Sequence, residues 1–373
     1  MAALEGIFLA RPESPRAGIP LAVKDLLDTA GLTTTYGSAI FVDHVPAKSA
    51  TAVERLEAAG YADVGKTNLH EFAYGITSEN AHFGTVPNPV APGRIAGGSS
   101  GGSAAALAAG LAEAALGTDS GGSIRIPAAC CGVVGLKPSY GLVPTDGCFP
   151  LAPSFDHVGP MARTVAECAT LLEALVPEFE RRHLESLEEV SVGVAWLDAA
   201  EPLVAARVRE AAAHFPRRRG LDWPHPSIDA LFMREVAEVH RELYAENAEL
   251  YGEDVAAKIE RCLGVTDADV SHAARARGEY RERCSELFEG VDLLLTPTLQ
   301  RVAPPTGVGD EALRETLVHN TLPFNTLGWP ALALPCGGAE DGLPASIQLV
   351  GRPGADALVL AAGETLSVAL DSS

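Results

Sequence analysis

The hydrophobic pattern at the start of the chain predicts strand–helix–strand units. Residues 18–23 form a short, mostly apolar run that ends at Lys24, which is typical of a buried strand. Apolar residues then recur with helical spacing over residues 49–59, and Gly60 marks the end of that helix. Residues 62–65 are again apolar enough to form a strand. This alternation favours an α/β fold with parallel strands.

Two glycine-rich loops follow, separated by a small apolar segment. Residues 80–102 hold three prolines and lead into the run Gly-Gly-Ser-Ser-Gly-Gly-Ser at 97–103. Long irregular loops in ordered chains are usually functional or disordered. Residues 104–116 are small and apolar on nearly every face, which predicts a buried helix. We read Ser103 as the N-cap of that helix, and residues 117–127 as the second loop.

The remainder of the chain contains charged helices and then a second group of strands. Amphipathic spacing predicts helices at 235–250 and 254–262, strands at 291–295, 331–334 and 346–350, and a closing helix at 355–370. Strands thus occur near both ends of the chain, so we expect them to share one sheet.

The net charge and the cysteine content indicate which partners the protein can bind and in which cellular compartment it is found. The 373 residues carry 28 lysines and arginines against 49 acidic residues, a formal net charge of −21. Such a chain repels phosphate backbones, so we expect no direct binding to nucleic acid, and we read the run at 217–219 as a solvated loop. The seven cysteines form no CxxC pair, which indicates reduced thiols. With no signal-peptide pattern and no long apolar span, we expect a cytoplasmic protein that does not bind membranes.

Three kinds of chemistry compete for the glycine-rich loops. A phosphate-binding loop would need a lysine after the glycines or a GxGxxG pattern, and neither occurs. Residues 97–101 match the GxSxG nucleophile elbow, but that motif follows an apolar strand and residues 92–96 are loop-like. No cluster of His, Cys and Asp has metal-ligand spacing, so we expect neither a metal nor a cofactor.

The third interpretation combines two serines with a lysine. Ser99 and Ser123 lie on separate loops, and Lys24 ends an apolar strand, where desolvation would keep its amine neutral near pH 7. The backbone N–H groups of Gly121 and Gly122 are unhindered donors for a developing oxyanion. A nucleophile, a base and oxyanion donors are the requirements of acyl transfer.

The loops and their flanks resemble the amidase signature family. The resemblance rests on residues 18–25, 65–68, 97–103, 117–127, 132–138, 328–332 and 342–351. It implies one α/β domain over residues 1–373, with a mixed, largely parallel central sheet covered by helices on both faces. Within that domain we expect a signature core at about 18–165, a helical substrate-shaping segment at about 165–290, and a return to the sheet at about 291–370.

The resemblance also assigns roles to individual residues. The family's Ser–cis-Ser–Lys triad carries over with Ser123 as nucleophile, Ser99 as bridging serine after a cis peptide bond from Gly98, and Lys24 as base. The oxyanion hole would consist of the N–H groups of Ser120, Gly121, Gly122 and Ser123. Supporting residues would be Gly98, Ser100, Asp119 and Arg125, of which we read the last two as a structural ion pair.

The implied function is hydrolysis of a small-molecule carboxylic amide to an acid and an amine or ammonia, through an acyl-serine intermediate. Two alternatives stay open: the A subunit of a glutamyl-tRNA amidotransferase, which releases ammonia from glutamine, and a catalytically silent binding homologue. Residues 263–269 lack the tyrosines that the amidotransferase protein carries there, which argues against the first, and the filled triad positions argue against the second. Homo-oligomer formation stays open.

Overall fold

The computed structural model describes residues 5–14 and 16–372. Within them the strands are β1 Phe8–Ala10, β2 Ile19–Lys24, β3 Tyr61–Thr67, β4 Glu79–Asn80, β5 Gly84–Thr85, β6 Ala114–Thr118, β7 Val134–Lys137, β8 Val158–Ala162, β9 Ser191–Val194, β10 Arg217–Gly220, β11 Leu293–Pro297, β12 Ala331–Gly338 and β13 Pro344–Val350. The α-helices are α1 Thr51–Ala58, α2 Gly101–Ala108, α3 Arg125–Cys131, α4 Val165–Leu175, α5 Pro202–Ala213, α6 Asp229–Asn247, α7 Glu253–Leu263, α8 Asp267–Leu287, α9 Asp310–Val318, α10 Leu322–Leu327 and α11 Asp356–Asp371.

One sheet of 11 strands runs through the molecule, in the order β1-β3-β2-β6-β8-β7-β12-β13-β11-β9-β10. Parallel pairing joins β3, β2 and β6 near one end and β11, β9 and β10 at the other. The centre is antiparallel, and so is the terminal pair β1–β3. β12, from near the end of the chain, pairs with β7 of the first half. The predicted α/β fold with a mixed central sheet is therefore confirmed.

Helices cover both faces of the sheet, and strand β2 shows why. Side chains alternate across a strand, so Leu21 and Val23 enter one apolar core together with residues of α1, α4, α5 and α11. Ala22 points to the opposite face, where it packs with the small residues of α2 and α3. Because both faces of β2 are buried, the strand reads as continuously apolar.

The apolar segment at 104–116 is only half helical, which corrects the predicted helix. Helix α2 ends at Ala108, and Gly110 takes a φ of +68°, a conformation that favours glycine just after a helix. The chain then enters β6 as a buried strand. Both elements are buried on all sides, so periodicity could not separate them.

Ser103 is also placed differently from the prediction. It lies inside α2, after the N-cap position at Ser100, and its hydroxyl donates a hydrogen bond to the carbonyl of Leu116 at 2.9 Å. It therefore joins α2 to β6 instead of capping a helix.

The segment between residues 165 and 290 adds two strands, β9 and β10, to its predicted helices. The arginines at 217–219 lie in β10, an exposed edge strand, and not in a loop. Charged side chains on an edge strand discourage pairing with other chains. The division of the single domain into three segments stays a prediction.

Among the described residues, no helix combines the length and the apolar character needed to cross a membrane.

Candidate active site

Lys24 is the last residue of β2 and is fully buried. Its ammonium or amine Nζ donates hydrogen bonds to Ser99 Oγ and to Thr118 Oγ1, each at 2.7 Å. Among residues 5–14 and 16–372, no carboxylate forms an ion pair with it. The side chain thus reaches a hydroxyl of the first glycine-rich loop directly, as the sequence predicts.

Burial changes the acid–base behaviour of this lysine. Desolvation lowers the pKa of Lys24 from 10.5 to about 7, and the nearby acidic groups of Cys148, Asp119 and Asp156 offset only part of that effect. A substantial fraction of the amine is therefore neutral at pH 7, which is the state that can accept a proton.

Lys66 shows the contrast between a structural lysine and Lys24. Its Nζ lies 3.4 Å from Asp25 Oδ1 and donates to Thr34 Oγ1 at 2.7 Å and to the carbonyl of Leu27. These fixed acceptors and a buried carboxylate engage the whole head group. Lys66 therefore has a structural role.

The loop that carries Ser99 is attached directly to the loop that carries Ser123. The peptide bond between Gly98 and Ser99 is cis, as the family resemblance implies. The backbone N–H of Ser100 donates to the carbonyl of Ser123 at 3.1 Å, and Ser100 Oγ donates to the carbonyl of Thr118 at 3.1 Å. A side chain at position 98 would lie within 2.8 Å of Ser78 Oγ, so glycine is required there.

The backbone after Asp119 is shaped by the carboxylate of that residue. Its Oδ1 accepts from the N–H of Gly122 at 2.8 Å, and its Oδ2 accepts from the N–H of Ile124 at 3.2 Å. Gly122 has a φ of +131°, which suits glycine alone. Within the described part of the chain, the N–H groups of Gly121 and Ser123 have no hydrogen-bond partner. Two donors next to the Ser123 side chain are thus free.

Asp119 and Arg125 form the buried ion pair expected from their spacing. Arg125 Nε donates to Oδ2 at 3.0 Å and Nη2 donates to Oδ1 at 2.9 Å, and both side chains are fully buried. Burial alone would raise the pKa of Asp119, but the Arg125 guanidinium outweighs it and holds that pKa well below its usual value. The carboxylate therefore stays ionised and keeps the loop in place.

Residues from the second half of the chain complete this ion pair, and no sequence pattern indicated them. Arg125 also donates to the carbonyl of Thr321 at 2.9 Å, to Gln348 Oε1 at 3.1 Å and to Asn325 Oδ1 at 2.7 Å. Asn325 Nδ2 in turn donates to Asp119 Oδ1 at 2.9 Å. About two hundred residues separate these groups, so only the fold brings them together.

Ser120 and Thr118, which flank Asp119, have further roles. Ser120 Oγ donates to Asp156 Oδ1 at 2.5 Å, and Asp156 also accepts from the N–H groups of Leu151 and Ala152. Thr118 is the second acceptor for Lys24 and was not singled out from the sequence, although it lies within the motif at 117–127. Thr118 ends β6, the strand that pairs with β2, and this position could have indicated its contact with Lys24.

A cavity of about 250 Å³ opens at Ser123. Most of its lining is apolar, and its charged residues lie on helices α6, α7 and α9. The lining residues are Ala73, Tyr74, Gly75, Ile76, Ser120, Gly121, Ser123, Leu151, Asp229, Phe232, Met233, Arg261, Glu311, Arg314, Val318 and Leu322. Ser123 itself is only 6% exposed, so a reactant reaches it through this cavity.

Outside the cavity, the fold gathers His70, Asp254 and Asp310, whose ligand atoms lie within 4.8 Å of one another. The spacing of these residues along the chain did not indicate this cluster. Lys258 Nζ donates to both carboxylates, at 2.7 Å for Asp254, and so supplies the positive charge that they require. The cluster therefore joins α7 to α9 through an ammonium group.

Comparison with known proteins identifies the family of this chain. The family model described as Amidase matches residues 3–242 and 176–360. The A subunit of a glutamyl-tRNA(Gln) amidotransferase from Moorella thermoacetica (strain ATCC 39073 / JCM 9320) is 37% identical over 399 residues, which cover 93% of this chain and 82% of the relative.

Two solved structures have the same fold. A crystal structure of an amidase is 39% identical with a TM-score of 0.85, and the match covers 94% of this chain and 84% of that one. A chain from a vestigial protein complex, described in connection with the origins of an s-triazine catabolic enzyme, is 34% identical with a TM-score of 0.86 over 95% and 84% of the two chains. The chain therefore belongs to the amidase family.

Proposed function

We propose that the protein hydrolyses a small carboxylic amide through an acyl-enzyme formed on Ser123. The observation that carries this proposal is the 2.7 Å hydrogen bond from Lys24 to Ser99 in a fully buried position, where none of the described carboxylates forms an ion pair with the lysine. A base with a pKa of about 7 is well matched to proton transfer near neutral pH.

In the proposed reaction a proton passes from Ser123 through Ser99 to Lys24, and it later returns from Lys24 to the departing group. The neutral amine of Lys24 accepts a proton from Ser99, and Ser99 accepts one from Ser123, while Ser123 Oγ forms a bond to the carbonyl carbon. The C–N bond then breaks, and the proton returns through Ser99 to the departing nitrogen. Water then attacks the carbonyl carbon of the acyl-serine and gives its proton through Ser99 to Lys24. The ester bond to Ser123 breaks, the acid is released, and the proton returns to the Ser123 hydroxyl.

We assign oxyanion stabilisation to the N–H groups of Gly121 and Ser123, with Ser120 beside them. Their lack of partners in the described structure supports this assignment. Gly122, which the sequence also suggested, donates to Asp119, so its contribution would require release of that bond. In measured cases, one oxyanion donor is worth about 10²–10³ in rate.

A second candidate is the release of ammonia from glutamine within an amidotransferase complex. The name of the Moorella relative favours it, because that relative matches over most of its length. Both candidates use the same acyl-serine chemistry and differ in the acyl group and in the need for a partner protein. We propose a cytoplasmic protein in either case.

The test is a panel of amides with mass detection of the modified serine. Aliphatic, aromatic and urea-type amides and glutamine are incubated with the purified chain, and product and acylated peptide are measured. We expect turnover of at least one amide and an adduct on Ser123, and neither in Ser123→Ala, while Ser227→Ala at an exposed loop serves as control. Turnover of glutamine only in the presence of a copurified partner protein would favour the second candidate. Amide hydrolysis that survives in Ser123→Ala would refute both.

A further inference from the structure

The cavity at Ser123 adjoins a second one, of about 430 Å³. The two share the residues Asp229, Glu311, Arg314, Val318 and Leu322 in their lining. A substrate bound at Ser123 can therefore extend past this junction. Charged side chains at this junction will therefore favour amides that carry the opposite charge at that position.

Arg314 is the unsatisfied cation of this junction. Its guanidinium carbon lies 5.5 Å from the centre of the Tyr74 ring, and within residues 5–14 and 16–372 it has no hydrogen bond and no ion pair. Arg261, the other arginine of the cavity, donates to Glu311 at 3.0 Å. The half-buried Arg314 thus retains its hydrogen-bonding capacity for a ligand.

The helix that carries Arg314 is held firmly at its start. Asp310, the first residue of α9, accepts from the N–H of Ile76 at 2.6 Å and from Lys258. Residues four apart share one face of a helix, so Arg314 lies above Asp310 on the side that faces Tyr74. Tyr74 is buried and its ring restricts the guanidinium further. The backbone that carries Arg314 is therefore held in place before any ligand arrives.

We propose that Arg314 binds a carboxylate of the substrate, so that the preferred substrates are amides with a carboxylate on the acyl part. This inference rests on the proposed function and specifies its substrate class. The planar guanidinium matches a carboxylate with two parallel hydrogen bonds, which a lysine or a neutral side chain cannot provide. Two acidic residues line the same junction: Glu311 accepts a hydrogen bond from Arg261, and Asp229 is exposed to solvent.

The test compares monoamides of dicarboxylic acids with neutral amides of equal length. The charged series is malonamate, succinamate and glutaramate, and each is paired with the alkyl amide of the same chain length. For at least one pair we expect kcat/KM of the wild-type protein to favour the carboxylate by about tenfold to a hundredfold. Arg314→Gln should abolish that preference, Arg314→Lys should restore part of it, and Arg261→Gln should preserve it.

The outcomes separate this inference from the function on which it rests. A wild-type protein that hydrolyses neutral amides but favours no carboxylate would overturn the inference alone. A carboxylate preference that survives in Arg314→Gln would do the same, and a circular dichroism spectrum equal to that of the wild-type protein shows that this variant is folded. If no amide of either series and none of the wider amide panel acylates Ser123, the proposed function itself fails.

Discussion

Replacement of Lys24 by methionine should abolish activity and yet stabilise the protein. The lysine is fully buried and its pKa falls from 10.5 in the unfolded chain to about 7 in the fold. At about 1.4 kcal/mol per pKa unit, this shift costs roughly 4–5 kcal/mol of folding free energy below pH 7. Methionine has a similar length and no charge, and it loses two hydrogen bonds worth about 1 kcal/mol each. We expect a net gain of about 2–3 kcal/mol at pH 7.

The sign of the pH dependence follows from the same shift. Between about pH 7 and 10.5 the unfolded chain binds a proton at Lys24 that the folded chain does not, so wild-type stability rises with pH across this window. Below pH 7 both states are protonated and this contribution is constant. The methionine variant lacks this slope, so its advantage should shrink as the pH is raised.

Urea unfolding at pH 7 and pH 9 measures both effects in the wild-type protein, in Lys24→Met and in Lys48→Met. Lys48 is exposed and serves as the matched control, for which we expect no change. Lys137 is also buried with a pKa lowered to about 7, and it contributes equally to all three proteins. A Lys24→Met protein that is less stable than wild type at pH 7, or one whose advantage does not depend on pH, would show that burial of the Lys24 ammonium does not destabilise the fold.

Three further outcomes are expected. The kcat/KM of the wild-type protein for a neutral amide should rise with pH and level off above about pH 7, because only the uncharged Lys24 amine accepts a proton; a rate independent of pH from 5 to 9 would contradict this. Ser99→Ala should lower kcat by about 10²–10⁴ with an unchanged circular dichroism spectrum, since it breaks the proton path, and near-normal turnover would exclude the bridging role. Asp119→Asn should cost about 3–5 kcal/mol in thermal unfolding because it leaves Arg125 buried without its counter-ion, whereas a neutral effect would mean that the pair does not hold the loop.

The sequence predicted most of the fold, because each regular element has its own pattern. Strand β2 and helix α1 lie where the apolar spacing places them. The prediction for the segment at 104–116 was wrong because α2 and β6 are buried on every side, which removes the polar positions that set a period. The prediction for the arginines of β10 was wrong for the opposite reason, since an edge strand with four exposed residues has no apolar face.

The candidate site was predictable only where its residues are close in the sequence. The Asp119–Arg125 pair spans six positions of one motif, and its geometry is confirmed. Asn325 and Gln348 hold the same pair from distant elements, and no local pattern marks a buried amide as a partner. The roles of Lys24, Ser99 and Ser123 in catalysis stay a proposal that the geometry supports.

The proposed role of Lys24 as the base is tested most directly by titrating Lys24 itself. The chain has only five lysines, so 13Cε labelling of lysine gives five NMR signals, which single Lys→Met variants assign. The measurement uses Ser123→Ala, so that no acyl-enzyme forms. We expect the Lys24 signal to titrate near pH 7, and the signal of exposed Lys48 serves as the reference. A Lys24 signal that remains that of an ammonium up to pH 10 would contradict its role as the base.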